Sequence, residues 1–482
     1  AITVVEIMRM LPFFSADSSV TGDSKVLVKE NGVIRQTTIE ELYNRRKLLE
    51  ERTSLIETRV PYSNTQVLTV DENNKVVWGN LYGVVKHKVN KKLVKITTED
   101  NKEVICTTDH SIIVMDKEGY LQEVKADELK KGDYVLTNSI IPHDKSDVAY
   151  IEVKILKPKT QKGELCKRKV ILDDTFLQFL GLWLGDGHFS GESTIGVSAY
   201  NHEDTRRVLD EIAQRYNAKA SLNKNGVEWR ISSVTLRREM EALGFKGASS
   251  TKEFPEFIFN LSKRQIAQVL KGYYSADGTT HNLAINTVSE KLKDGLEQLL
   301  LMLGIPPVIS YYSGGEYNIQ GKIGEKKPSY RISIHGRKYK QMFLEQIGFL
   351  QKEKNEALLE ELNNEVLNGI TVPKRELVPV RLLKDGYLKY PSASQRQRPT
   401  ARTKRANRHV EGNFVDRIRD SELWFLEIKD IEVVSEGKEV EVYDLAVEKY
   451  ERFFANGILV HNTSWLMGSK YGMTFWFDGR TL

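Results

Sequence analysis

Apolar and polar positions alternate along the first third of the chain. Lys25-Val26-Leu27-Val28-Lys29 closes on the turn dipeptide Asn31-Gly32, and Gln66–Val70, Val76–Trp78, Leu93–Thr97 and Glu103–Cys106 continue the pattern. A period of two sends successive side chains to opposite faces, so Ser19 to about Ile141 reads as a β region. A highly charged stretch, about Ile39 to Glu57, is expected to interrupt it as a helical insertion. Strand signals return at Ile428–Val434 and Val440–Val447, and Phe453-Phe454-Ala455-Asn456-Gly457 turns into a last apolar run that ends at His461. The early strands are expected to pair with these late ones. The chain between them can be long, because closure entropy grows slowly with loop length.

That intervening region repeats itself. Leu177-Gln178-Phe179-Leu180-Gly181-Leu182-Trp183-Leu184-Gly185-Asp186-Gly187 returns in pattern as Gln268-Val269-Leu270-Lys271-Gly272-Tyr273-Tyr274-Ser275-Ala276-Asp277-Gly278. Each copy is followed by strand-like segments, a helix (205–216; 291–303) and a closing Leu243-Gly244-Phe245 or Ile347-Gly348-Phe349. The order implies two similar subdomains about a pseudo-two-fold axis. Each motif reads as a helix, apolar nearly all round, that stops at Asp-Gly, with the glycine supplying a left-handed stop. Gly181 and Gly185 lie four residues apart, as do Gly272 and Ala276, so each pair shares a face. If those small faces pack together, Asp186 and Asp277 end side by side at two helix C-termini. Both then repel each other and oppose the helix dipoles, which a divalent cation with a taste for oxygen would relieve.

Composition narrows the class without naming a partner. The 482 residues suffice for two or three domains, and 40% hydrophobic with 28% charged content is that of an ordinary globular chain. No apolar run approaches the roughly 18 residues of a membrane span, and the first residues lack the basic region of a secretory signal. An intracellular protein is expected. Cys106 and Cys166 are too few for a disulfide framework or a cysteine zinc site, and Cys106, in a strand-like run, is expected to be a core residue. A net charge of +5 says little by itself.

The chemistry lies at the ends of the β region. Ile458-Leu459-Val460 delivers His461-Asn462 against Thr463. An asparagine can turn its side-chain amide nitrogen on its own backbone carbonyl, close a succinimide and expel the next residue as an amine. Upstream stand Ser19-Val20-Thr21-Gly22-Asp23, then Thr107-Thr108-Asp109-His110 before the apolar run 111–114, then Lys130-Lys131-Gly132-Asp133-Tyr134-Val135-Leu136. On these motifs the chain resembles an intein, most like those of archaeal family-B DNA polymerases. The resemblance implies a discontinuous, all-β Hint (hedgehog/intein) splicing domain, with residues 1–18 and 463–482 as host exteins in cis. It implies catalytic roles for Ser19, Thr107, His110, His461, Asn462 and Thr463. Ser19 would attack the Ser18 carbonyl, Thr107 and His110 would polarise that carbonyl and protonate the departing amine, and Thr463 would take the acyl group. Asn462 would then cyclise with His461 assisting. Many relatives carry a histidine within the segment matching Glu448–Arg452, which has none here; Asp444 is either a positioning group or an ordinary strand-end carboxylate.

The paired Asp-Gly motifs resemble the LAGLIDADG homing endonucleases, an α+β family that commonly sits inside inteins. That resemblance implies a Mg²⁺-dependent double-strand cut made with Asp186 and Asp277 as catalytic and metal-binding residues, on double-stranded DNA with a long recognition site. It also implies a lysine after each repeat: Lys252 for the first and either Lys352 or Lys354 for the second. Arg396, Arg398, Arg402, Lys404, Arg405 and Arg408 stand among Pro, Ser, Gln and Thr, a composition suited to phosphate contact without base reading.

The expected organisation is therefore multidomain and monomeric. It runs as splicing region 19–145, endonuclease 165–365, basic linker 366–425 and splicing region 426–462, splicing itself needing no cofactor. Two other readings stay open: a splicing intein whose nuclease only binds DNA, and a DNA-binding protein that does neither. Retention of both aspartates favours the bifunctional reading over the first, and the complete splicing termini oppose the second.

Overall fold

The computed structural model describes residues 19–52, 56–60, 64–116, 119–156, 165–198, 202–319, 322–368, 377–379, 400–403, 420–462, 476–477 and 480–481. Thr463, the flanks expected to be exteins apart from 476–477 and 480–481, and Arg396, Arg398, Lys404, Arg405 and Arg408 of the expected basic linker lie outside them, as does the side chain of Arg402. The chain divides into one unit of residues 1–138 with 375–482 and a second of residues 139–374.

The first unit is antiparallel β. We label its strands β1 (Val20–Thr21), β2 (Val76–Val89), β3 (Glu103–Thr107), β4 (Ser111–Met115), β5 (Leu121–Lys125), β6 (Tyr134–Asn138), β7 (Leu423–Ser435), β8 (Val440–Val447), β9 (Arg452–Ala455) and β10 (Ile458–His461). In the large sheet the order is β6, β7, Leu93–Thr98, β3, β1, β8, β2, Thr65–Val70, Lys25–Glu30 and Val33–Thr38. A smaller sheet runs β5, β4, β10, β9. Strands from the two ends of the chain thus alternate, with Val20 paired to Tyr443, Leu136 to Phe425 and Ile112 to Val460. Their inward residues form one apolar cluster, including Val20, Ile96, Cys106, Ile112, Leu426, Leu445, Phe453 and Val460. Each large side chain so buried contributes roughly 1.5–3 kcal/mol, and neither end of the chain has a core without the other.

The charged insertion is less helical than its composition suggests. Only α1 (Ile39–Asn44) is helix, started by a capping box between Thr38 and Glu41. Lys47–Arg52 and Ile56–Val60 form a hairpin instead, because Ile56–Arg59 finds an open flank of β2 in the register His87 to Val84. Sheet pairing outweighs local propensity here.

The second unit is α+β and holds the repeat. Its helices are α2 (Asp174–Asp186), α3 (Glu203–Arg215), α4 (Val234–Ala242), α5 (Lys263–Asp277), α6 (Glu290–Met302), α7 (Arg337–Gln346) and α8 (Lys352–Asn368). After α2 comes a four-stranded antiparallel sheet ordered 187–190, 194–198, 228–232, 220–222; after α5 comes a three-stranded one ordered 285–287, 329–333, 308–312. Both motif helices begin on a side-chain cap, Asp173 accepting from the Phe176 N–H and Ser262 from that of Gln265. Gly244 (φ 100°) and Gly348 (φ 62°) close the two repeats in the left-handed region that glycine favours.

Candidate functional site

Ser19 is buried and leads directly into β1. Its backbone N–H donates to Thr107 Oγ1 at 3.2 Å, and the Thr107 N–H donates to the Ser19 carbonyl at 3.0 Å. The nucleophile candidate and the threonine of the second motif are therefore locked together across 88 residues of sequence. At the end of β3 the chain turns, the His110 N–H donating to the Thr107 carbonyl, and His110 is buried as it enters β4. β4 pairs with β10 through Ile112 and Val460. Two residues further along that register His110 comes level with Asn462. One tight turn thus reaches Ser19 from its first residue and the Asn462 strand end from its last.

Asn462 is also buried, and its N–H donates to the Glu451 carbonyl at 3.0 Å. Its side-chain Oδ1 accepts no hydrogen bond among the described residues, so the side-chain amide is not tied through its oxygen. Glu451 (φ 49°) and Lys449 (φ 70°) are both left-handed non-glycine residues, so the loop presenting that carbonyl carries backbone strain. His461 Nε2 lies 3.2 Å from Glu123 Oε1 on β5. Burial holds the imidazole below its ordinary pKa, while the carboxylates of Glu123 and Glu451 pull it up and Arg452 pushes it down.

Two residues at this site escaped the sequence reading. One is Glu123, brought to His461 only by the β4–β5 hairpin. The other is His87, whose Nε2 sits 2.6 Å from Ser19 Oγ. Its signal was present: in Lys86-His87-Lys88 the histidine occupies a buried phase of β2 shared with Val85 and Val89. The Val20–Tyr443 pairing, carried one residue back, also sets Ser19 across from Asp444, which is buried and accepts the Leu445 N–H.

In the second unit α2 and α5 pack backbone to backbone. A Cβ on Gly181 would fall 2.7 Å from the Tyr273 nitrogen, one on Gly272 2.9 Å from the Leu182 nitrogen, and one on Gly185 2.6 Å from Ala276 Cβ. Small residues are obligatory there, and the packing brings Asp186 and Asp277 together. Burial pushes the Asp277 carboxyl up to about 6, Asp186 adding to the rise, and burial raises Asp186 as well. The glycines after the aspartates do not supply a left-handed stop. Gly187 (φ −87°) and Gly278 (φ −80°) are extended, and they are glycines for space, since a Cβ would strike Trp183 or Tyr274.

Lys252 is buried and donates to the carbonyls of Trp183, Leu184 and Gly185 at 2.9–3.1 Å, using all three ammonium protons on the end of α2. Lys354 does the same for α5, donating to the Ser275 and Gly278 carbonyls at 3.1 and 3.0 Å. Lys352 points to solvent beside Glu356. Of the two candidates for the second repeat, Lys354 is the counterpart. Burial lowers both lysines, Lys252 to about 8, and the two aspartates oppose that fall. Among the described residues no group of three or more His, Cys, Asp or Glu side chains could hold a metal, so a cation at the aspartate pair would complete its shell with non-carboxylate oxygens.

The model of the intein splicing domain matches residues 27–462, a span that ends on Asn462. The chain belongs to the intein splicing family. The intein is 27% identical over 466 residues to a DNA polymerase of Thermococcus hydrothermalis, covering 92% of this chain and 23% of that protein. It is 24% identical over 471 residues to a glutamine–fructose-6-phosphate aminotransferase of Methanocaldococcus jannaschii, covering 92% of this chain and 40% of that one. The intein thus spans well under two thirds of these relatives. Among solved structures, the homing endonuclease I-DmoI shares 19% identity at a TM-score of 0.28, covering 37% of this chain and 96% of that one. No helix of the described residues is long and apolar enough to cross a membrane. Cys106 is a buried free thiol whose ionisation burial opposes.

Proposed function

We propose that the first unit excises residues 19–462 and joins Ser18 to Thr463. The observation that carries this is the Thr107–His110 turn, hydrogen-bonded to Ser19 at one end and in register with Asn462 at the other. Ser19 Oγ attacks the Ser18 carbonyl and exchanges the amide for an ester, while Thr107 and His110 hold the scissile amide. Thr463 Oγ1 takes the acyl group, Asn462 cyclises beside His461, and the freed ester rearranges to a peptide bond. Burial of Ser19 and Asn462 keeps water from the ester. The relatives support the reading: two proteins of unrelated activity each match nearly all of this chain over a minor share of their own length, as an insert would. Intact-mass spectrometry of the chain over time tests it. Appearance of residues 1–18 joined to 463–482, with a succinimide-ended 19–462, is expected, and its loss in Ser19→Ala with Asn462→Ala. One unchanging mass under all conditions refutes it.

A second activity, metal-dependent cleavage of double-stranded DNA by the second unit, is favoured by the juxtaposed Asp186 and Asp277. Two half-buried carboxylates at adjoining helix C-termini are a concentration of negative charge suited to a hard cation. They would hold Mg²⁺, which when bound supplies charge for a phosphoryl oxygen and an acidified water. Lys252 and Lys354 fix the helix ends that carry them. Incubation of the chain with a randomised duplex library and Mg²⁺, beside Asp186→Asn, tests this; equal cutting by both, or none by either, removes it.

A further inference from the structure

His87 is buried, its ring is enclosed in the large sheet, and its Nε2 is 2.6 Å from the hydroxyl oxygen that starts the reaction. The strand register explains how it arrives. On β2, His87 pairs with Val442 of β8, and Val442 pairs in turn with Thr21 of β1. Ser19, two residues before Thr21, therefore shares a sheet face with His87 and lies diagonally from it. The opposite side of Ser19 is already engaged, its N–H being held by Thr107. His87 thus faces the oxygen and Thr107 the nitrogen of the same residue.

We propose that His87 is the general base of the first step, a reading that rests on the splicing assignment above. A serine hydroxyl is a weak nucleophile until a neighbouring base takes its proton. As Ser19 Oγ forms its bond to the Ser18 carbonyl carbon, its proton passes to His87 Nε2 and the carbonyl pair moves onto oxygen. When that pair returns, the bond from the Ser18 carbon to the Ser19 nitrogen breaks. The nitrogen takes the proton back from the imidazolium. An amide and a hydroxyl become an ester and an amine, with no net proton and no electron exchanged. Thr107 keeps the nitrogen in place throughout, and His87 ends neutral.

The test isolates that step. In a full chain carrying Asn462→Ala and Thr463→Ala, the reaction stops at the ester, and hydroxylamine then releases residues 1–18 at a rate read by mass spectrometry. His87→Ala and His87→Gln are expected to slow release about 100-fold or more, the usual worth of a general base. With Ser19→Cys the same His87 variants are expected to lose less than about tenfold, because a thiol of pKa about 8.5 supplies its own anion. A merely structural histidine would cost both nucleophiles alike. Equal loss in the serine and cysteine chains, or full-rate release by His87→Gln, overturns the proposal. If the parent chain releases nothing with hydroxylamine, the splicing reading itself fails and takes this role with it. Release by the parent and by the His87 variants at one rate removes His87 alone.

Discussion

Gly181 and Gly272 each face the other's helix so closely that neither can carry a side chain: a Cβ on either would meet a backbone nitrogen across the interface at 2.7 or 2.9 Å. The contact is what sets the aspartates together, each five residues further along its helix. Gly181→Ala must therefore spread α2 from α5, and overpacking of this kind costs roughly 1–3 kcal/mol or more. Amide hydrogen exchange in α2 and α5 should accelerate and DNA cleavage should be lost, while splicing measured by intact mass persists. Unchanged exchange in both helices would contradict the contact.

The Asp277 carboxyl, pushed up to about 6 by burial and by Asp186, ties the second unit's stability to pH. A carboxyl titrates near 3.9 in the unfolded chain. Between about pH 4 and 6 the folded state therefore binds more protons than the unfolded one, and stability falls as pH rises through that window. The loss across it is on the order of 2–3 kcal/mol. Asp277→Asn should flatten this dependence and slow exchange in α5 above pH 6 in the presence of a chelator, while abolishing DNA cleavage. A slope equal to that of the parent chain would show that the carboxyl is not responsible.

Lys354 donates to two carbonyls at the end of α5, whereas Lys352 donates outward. Lys354→Met leaves those carbonyls without their cationic partner and deprives both aspartates of a charge that lowers their pKa. A loss of roughly 1–3 kcal/mol and of at least tenfold in cleavage is expected, with Lys252→Met the larger of the pair because three carbonyls depend on it. Lys352→Met should change neither. Equal effects at 352 and 354 would undo the distinction.

Much of this architecture could be read from the chain because its signals are local and repeated. Period-two runs marked the strands, and the two Asp-Gly motifs in register marked the helix pair. The four-residue spacing of Gly181 with Gly185 named the packing face. What could not be read depended on pairing between distant segments. Ile56–Arg59 became strand because β2 offered it a register, and the charged composition of 39–57 could not announce that. Lys352 and Lys354 differ only in which way α8 turns them. Gly187 and Gly278 are glycines through the neighbours Trp183 and Tyr274, and their backbone angles would suit any residue. His87 reaches Ser19 across 68 residues, and Glu123 reaches His461 through a third strand.

Glu123 Oε1 stands 3.2 Å from His461 Nε2. Burial holds His461 below the ordinary histidine range, so the ring is neutral at pH 7 and available as a base for cyclisation of Asn462. Because the folded pKa is depressed, the unfolded chain binds the extra proton first as pH falls below about 6.5. Stability and C-terminal cleavage should therefore both decline with falling pH, beginning below that value. The Glu123 carboxylate pulls the ring's pKa upward. Glu123→Gln should consequently move the midpoint of the cleavage–pH profile further down, while loss of ring orientation slows the plateau by roughly 3–10-fold, a fraction of a full general-base effect. His461→Gln should instead remove the pH-dependent limb along with most of the rate. Measuring succinimide formation in a Ser19→Ala chain from pH 4.5 to 8 separates these effects, since only the C-terminal step can then proceed. A midpoint that rises in Glu123→Gln would mean that the carboxylate does not act on His461 as its 3.2 Å approach implies.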